Sequence, residues 1–224
     1  VISKLPKWVE YGAFVLAMTA GCVNGIGLLG FEHQAISHLS GTATLIGTDI
    51  INNNPVKFVH LMGVLAGFFG GAFLSGVVLK DGTLILGRRY DFLLIIEALL
   101  LVAAIYPMQQ GAAYGLYFAA AACGIQNALV TSYSGAIVRT THITGIITDL
   151  GLMFGALMRG HPLNQRKLVL FCVIVAGFIL GGTISAIIFP MMGAYSFAAP
   201  AFICVALAGV YRVHMWRQRI VPKA

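Results

Sequence analysis

Two segments carry the polar groups best suited to act on a solute. His38, Ser40, Gly41, Thr44 and Gly47 return as His142, Thr144, Gly145, Thr148 and Gly151, both in the pattern H-x-[ST]-G-x-x-T-x-x-G. An unperturbed imidazole titrates near pH ~6.5, so either histidine could bind a solute or carry a proton. A hydroxyl residue before a helical run is a natural N-cap, and the glycine after it leaves the backbone amides approachable. Those free amides and the partial positive charge of a helix start favour an anion or a polar neutral solute. Gly41, Thr44 and Thr48 follow at helical spacing, as do Gly145, Thr148 and Leu152, so each short helix shows one small, hydroxyl-bearing face.

Other polar groups fall in apolar surroundings. Asn24 and Asn127 form a second repeated pair, and an amide inside an apolar helix bonds either a solute or the backbone of a neighbouring loop. Arg139, Asp149 and Glu97 are ionisable groups in or beside apolar stretches. Arg139 and Asp149 can pair with each other, and Glu97 can reach towards Arg88 or Arg89. Each feature has a plainer alternative. The threonines can bond back to their own helix, the histidines can satisfy loop carbonyls, and the asparagines can brace the loops. Asp149 and Arg139 have no ionisable counterparts in the first copy, at Leu45 and Ala35, so the expected site is asymmetric. No metal site is expected: His33 and His38 lie close together but without carboxylates. Cys22, Cys123, Cys172 and Cys204 sit singly in apolar stretches, which gives neither a disulfide framework nor a zinc site. No catalytic constellation is readable either.

The elements that hold these groups must lie in lipid. Among 224 residues, 59% are apolar and 9% charged, at a mean hydropathy of +0.91, the composition of an integral membrane protein. The formal charge of +7 is scattered over loops and tail with no basic-aromatic patch, so a nucleic-acid partner is not expected. Apolar runs at 8–30, 55–79, 92–108, 111–133, 167–189 and 191–211 approach the ~20 residues needed to cross a bilayer. The first of them shows no small-residue cleavage site and is read as a retained span rather than a signal peptide. Shorter helices are expected at 40–51 and 144–158, closed by Asn52-Asn53-Asn54-Pro55 and by Gly160-His161-Pro162.

Two further blocks flank the repeated motif at nearly constant offset. Gly21 and Asn24 match Gly124 and Asn127; Gly67, Gly71 and Ser75 match Gly177, Gly181 and Ser185. The chain therefore reads as two copies, 1–108 and 109–224, each with three long helices and one short polar element. Lys80, Arg88 and Arg89, then Arg159, Arg166 and Lys167, then Arg212, Arg217, Arg219 and Lys223 all fall on one side only if the short elements enter and leave on the same face. The turns near Gln109 and Pro190 are then external and uncharged. Three crossings per copy invert the second copy relative to the first. The expected fold is an all-α integral membrane protein: six transmembrane helices plus two re-entrant half-helices in two inverted repeats. Interrupted helices meeting near the midplane of such a fold point to transport.

The G-x-x-N element, the S-H-x-S-G-x-x-T element, Gly124-Ile125-Gln126-Asn127 and the string Val138-Arg139-Thr140-Thr141-His142-Ile143-Thr144-Gly145 together resemble the YoaK-like bacterial inner-membrane proteins. The resemblance spans essentially the whole chain. It implies a multi-span inner-membrane protein and assigns neither substrate nor site residues.

The expected function is a small transporter or channel for an anionic or polar solute, with proton coupling as an option. The expected site comprises Asn24, His38, Ser40, Gly41, Thr44, Asn127, Arg139, His142, Thr144, Gly145, Thr148 and Asp149. Lipid and solute are the expected partners, a homo-oligomer is compatible, and no cofactor is expected. An intramembrane enzyme using His38 or His142, and a non-transporting membrane subunit, are the competing readings. Both termini are expected in the cytoplasm of a bacterial cell. Single cysteines placed in the 80–89 loop of whole cells should resist an impermeant thiol reagent added outside; labelling there would remove the re-entrant topology.

Overall fold

The computed structural model describes residues 8–30, 33–79, 89–134 and 139–220, with side chains to 216. Lys80, Arg88 and Lys223, on which the charge argument partly rests, lie outside the described residues, as does Val138; so do the side chains of Arg217 and Arg219. Among the described residues there is no strand. The order is α1 (Trp8–Leu29), α2 (Leu39–Ile51), α3 (Pro55–Val78), α4 (Tyr90–Gln109), α5 (Gly115–Ser134), α6 (Ile143–Met158), α7 (Gln165–Met192), a 3₁₀ turn (Gly193–Phe197) and α8 (Ala198–Ile220). Among the described residues four stretches are long and apolar enough to cross a membrane: α1, α3, α4, and the run Gln165–Trp216 that holds α7 and most of α8. Such stretches make this a membrane-type helical protein. α5 is rich in alanine and carries most of its residues inside the bundle, so it needs less apolar outer surface.

Local chemistry sets the helix ends. Asn54 caps α3, its Oδ1 accepting from the Lys57 N–H at 3.2 Å, with Pro55 at the first helical position. Asn164 caps α7 in the same way through the Lys167 N–H at 3.1 Å. Asn53 and Gly160 hold positive φ of 50° and 85°, the left-handed conformation that stops α2 and α6 from running on. α7 departs from expectation, for it passes through Pro190 to Met192. The chain turns instead at Gly193, whose φ of 53° suits a residue without Cβ.

Long helices associate at notches cut by small residues. α1 lies along α7 and α3 along α5, while α4 packs on α5 and α8. A Cβ on Gly67 would sit 2.6 Å from the Tyr117 carbonyl oxygen; one on Gly177 would sit 2.6 Å from that of Phe14. Gly71 faces the Ala121 carbonyl and Gly181 that of Met18, both closer still. Gly21 faces Phe178 and Gly124 faces Phe68 in the reciprocal sense. The matched residues of the two copies thus make matched contacts. Numbers rise together along both helix pairs, so α1 is parallel to α7 and α3 to α5. α1 and α5, in contrast, are antiparallel. The ring of Trp8 at the start of α1 lies 5.9 Å from that of Tyr133 at the end of α5. At the other end Ile26 shares a buried cluster with Leu116.

In lipid there is no hydrophobic drive between helices, so close packing and interhelical bonds must supply association. Gly71→Ala should therefore destabilise the bundle by about 1–3 kcal/mol, because its new Cβ meets a backbone carbonyl that cannot turn away. Gly76→Ala, with nothing within 4 Å, should change stability by less than about 0.5 kcal/mol. Thermal unfolding in detergent compares them; equal melting of the two variants removes the notch as the source of association.

Candidate functional site

Both short helices begin from loops hung on the long helices. Asn24 is buried in α1, and its Oδ1 accepts from both the N–H and the hydroxyl of Ser37, each at 3.1 Å. Asn127 in α5 accepts from the Thr141 hydroxyl at 3.3 Å. The asparagines thus brace the loops, each holding the residue just before the repeated histidine. Because Asn24 lies within α1, this bond holds the loop back along the helix from the Leu29 end. His38 accordingly lies edge-on to Phe178, halfway along α7, at 6.5 Å between ring centres.

The helix starts fall earlier than the sequence suggested. α2 begins at Leu39 and α6 at Ile143, with His38 and His142 in the N-cap position and no side-chain cap bond. Ser40 and Thr144 are inside the first turn, so they are not caps. The braced loops set where the chain can enter the helix, and the last non-helical residue is then the histidine. The Gly41 N–H donates to the His38 carbonyl at 3.1 Å. Gly41 is exposed with open space at its Cβ position, whereas the His142 ring folds over Gly145. The two starts are therefore unequal: one is bare, the other covered by an imidazole.

The threonines take the plainer of the two expected arrangements. Thr44 donates to the Ser40 carbonyl and Thr148 to that of Thr144, each at 3.0 Å, and Thr48 to that of Leu45 at 2.9 Å. Asp149 pairs with Lys167 at 3.3 Å and not with Arg139, which is exposed. Glu97 does not reach towards Arg89, whose guanidinium donates to the Val78 carbonyl at 3.0 Å. Burial in α4 instead places the Glu97 carboxylate beside the Cys204 thiol, which donates to it. Its Oε2 has no hydrogen-bond partner.

α2 packs on α3 and α6 on α7, with no packed interface between α2 and α6 among the described residues. A groove of about 750 Å³ lies elsewhere, between α4 and α8, beside the 3.0 Å pair of Asp91 and Arg212. None of the sequence-predicted residues lines it. No group of three or more histidine, cysteine or acidic side chains suited to a metal occurs among the described residues.

Sequence reasoning missed one buried polar group altogether. Thr42 and Asp49 are the buried residues of α2. The Gln34 amide reaches Thr42 Oγ1 at 3.4 Å, Gln34 Oε1 meets His60 Nε2 at 3.2 Å, and His60 Nδ1 meets the Tyr117 hydroxyl at 3.2 Å. Asp49 in turn faces Lys57 at 3.7 Å. The available signal was the presence of His60 and Lys57 in the first turns of an otherwise apolar span. Their partners are too far along the chain for spacing to reveal.

The chain matches, over residues 12–210, the family described as a protein of unknown function, DUF1275, and it belongs to that family. No curated protein and no solved structure matches it.

Removing the brace should loosen the loop before α2. Asn24→Ala leaves the buried Ser37 N–H without its acceptor, at about 1–3 kcal/mol. Amide exchange at residues 33–38 should accelerate, and Asn127→Ala, which loses one hydroxyl bond, should have the smaller effect on its own loop. Unchanged exchange in Asn24→Ala would assign the bracing to other contacts.

Proposed function

We propose that this protein is a small multi-span transporter or channel of the bacterial inner membrane, moving an anionic or polar neutral solute past the starts of α2 and α6. The observation that carries this reading is the pair of braced loops, Asn24 to Ser37 and Asn127 to Thr141, each holding a polar, glycine-bearing helix start against the long helices with its polar residues exposed. Irregular backbone at such depth is tolerated where it is enclosed by protein or lines a cavity. The amides and dipole of each start then attract negative charge or hydrogen-bond acceptors.

In this reading α1, α3, α4, α5, α7 and α8 cross the membrane and α2 and α6 are re-entrant. The antiparallel run of α1 and α5 supports it, because three full crossings between them would leave them parallel. One intervening helix must therefore return to its own face. α2, with 13 residues, spans roughly 20 Å and is too short for a hydrocarbon core of about 30 Å. The reciprocal glycine contacts of α1–α7 and α3–α5 support two inverted repeats, 1–108 and 109–224. Orientation follows the basic loops, with both termini cytoplasmic.

Gly41 is the position to test. In proteoliposomes loaded with a panel of small anions and polar neutral solutes, wild type should release at least one of them. Gly41→Leu should abolish that flux while inserting and folding normally, since nothing lies within 4 Å of the new Cβ. Thr44→Val and Thr148→Val should weaken it by less than tenfold, because both hydroxyls already donate to their own helix. Full flux through Gly41→Leu would end the central-site reading.

A further inference from the structure

The repeat contains its own control for the buried chain Thr42–Gln34–His60–Tyr117. At the repeat-matched positions stand Ile146, Val138 and Leu170 of the second copy and, for Tyr117, Phe14 of the first, all apolar. Ile146 and Leu170 belong to one buried apolar cluster. The helices around them approach as closely as in the first copy: the Phe14 carbonyl stands to Gly177 as the Tyr117 carbonyl stands to Gly67, each 2.6 Å from an added Cβ. The fold is therefore built equally well without the polar side chains. Buried hydrogen-bonding groups are costly inside a membrane protein, and these four residues gather at one of the two matched helix junctions and not at the other. Gly63 adds to the difference. A Cβ there would come 2.5 Å from the Tyr117 ring, and its match in the second copy is Val173.

The donors and acceptors of the chain run in one direction. Gln34 Oε1 can only accept, so His60 Nε2 must carry a hydrogen and donate to it. In a neutral imidazole Nδ1 is then bare and accepts from the Tyr117 hydroxyl at 3.2 Å. The Gln34 amide donates onward to Thr42. A proton arriving at Nδ1 requires only that the Tyr117 hydroxyl rotate and become the acceptor, with the Gln34 bond unchanged. The surroundings thus serve both charge states of His60. The titratable group against His60 from the packed elements is Tyr117 of α5, at 3.2 Å. Further along, Asp49 shares the buried face of α2 with Thr42 and its Oδ2 lies 3.7 Å from Lys57 at the start of α3.

We infer that His60, held between Gln34 and Tyr117, is an occluded proton-binding site at the α3–α5 junction, with no counterpart at the matched α7–α1 junction. Its role as the coupling site rests on the transport reading above; its existence as a proton site does not. The test uses protons alone. Purified protein in lipid nanodiscs, in unbuffered solution, is titrated from pH 8 to pH 5. Wild type should take up about one proton per chain more than His60→Leu, the residue of the matched position in the second copy. Tyr117→Phe and Gln34→Val keep the imidazole; they should retain that proton but shift the midpoint of its uptake. Circular dichroism of each variant should match wild type, with melting lowered where a buried partner loses its bond. Equal uptake by wild type and His60→Leu overturns the inference. So does ¹⁵N NMR of the wild-type imidazoles showing His60 as one neutral tautomer across this range, a measurement that needs no variant. Because no solute is present, failure here leaves the Gly41 flux test intact. Full flux through Gly41→Leu with a titrating His60 would remove the solute path and keep the proton site.

Discussion

Direct approach of one helix backbone to another is the constraint on which this molecule depends. Gly71 against Ala121 and Gly181 against Met18 leave no room for even a methyl group, and Gly21 and Gly124 repeat the device from the other side. Two parallel helix pairs result, each joining the first long helix of one copy to the second long helix of the other. Neither copy could close its own notch, because the carbonyl that fills it belongs to the other half. The halves are thereby obliged to fold together. The polar loops inherit their depth from the same arrangement, since α1 with Asn24 and α5 with Asn127 are the helices locked in the notches.

A second consequence concerns polar groups. With little water available, each buried donor or acceptor needs a partner within the protein. Asn24 gives its oxygen to Ser37, the threonines of the short helices use their own carbonyls, and Gln34, His60, Tyr117 and Thr42 satisfy one another. Among the described residues the buried atoms without a hydrogen-bond partner are Asp49 Oδ2, Glu97 Oε2, Gln126 Nε2, Thr140 Oγ1 and Ser196 Oγ. Bonding of this kind explains why polar residues can be dense around α2 without breaking the bundle.

Much of the architecture could be read before any coordinates. Asn54-Pro55 and Gly160 announced helix boundaries because caps and left-handed turns are local chemistry, and the repeated glycines announced close packing. What escaped were features decided by distance in space. Tyr117 meets His60 across two helices, and Asp149 meets Lys167 rather than Arg139, choices that depend on how α5 and α7 pack. The cap positions also shifted, to His38 and His142, because the braced loops and not Ser40 or Thr144 set the entry into each helix. Of the site residues named from the repeat, Ser40, Gly41, Thr144 and Gly145 lie in the first turns of the short helices, whereas Asn24 and Asn127 lie within α1 and α5 and Asp149 midway along α6. The polar chain behind the first start is legible only once the copies are compared residue by residue in space.

The two short helices are seated differently. α2 is anchored at both ends of its inner face, by Thr42 near the start and Asp49 near the finish. α6 buries only Ile146, close to its first turn, and its remaining length lies against the bundle through half-buried and exposed side chains. A rod fastened at one point pivots, while a rod fastened at two does not. Local opening draws on the least anchored element first. Local opening will thus be unequally shared: beyond the Asp149–Lys167 pair the far end of α6 has no buried residue to hold it, whereas α2 is held close to its finish by Asp49. One repeated sequence pattern thereby yields two short helices held with different firmness.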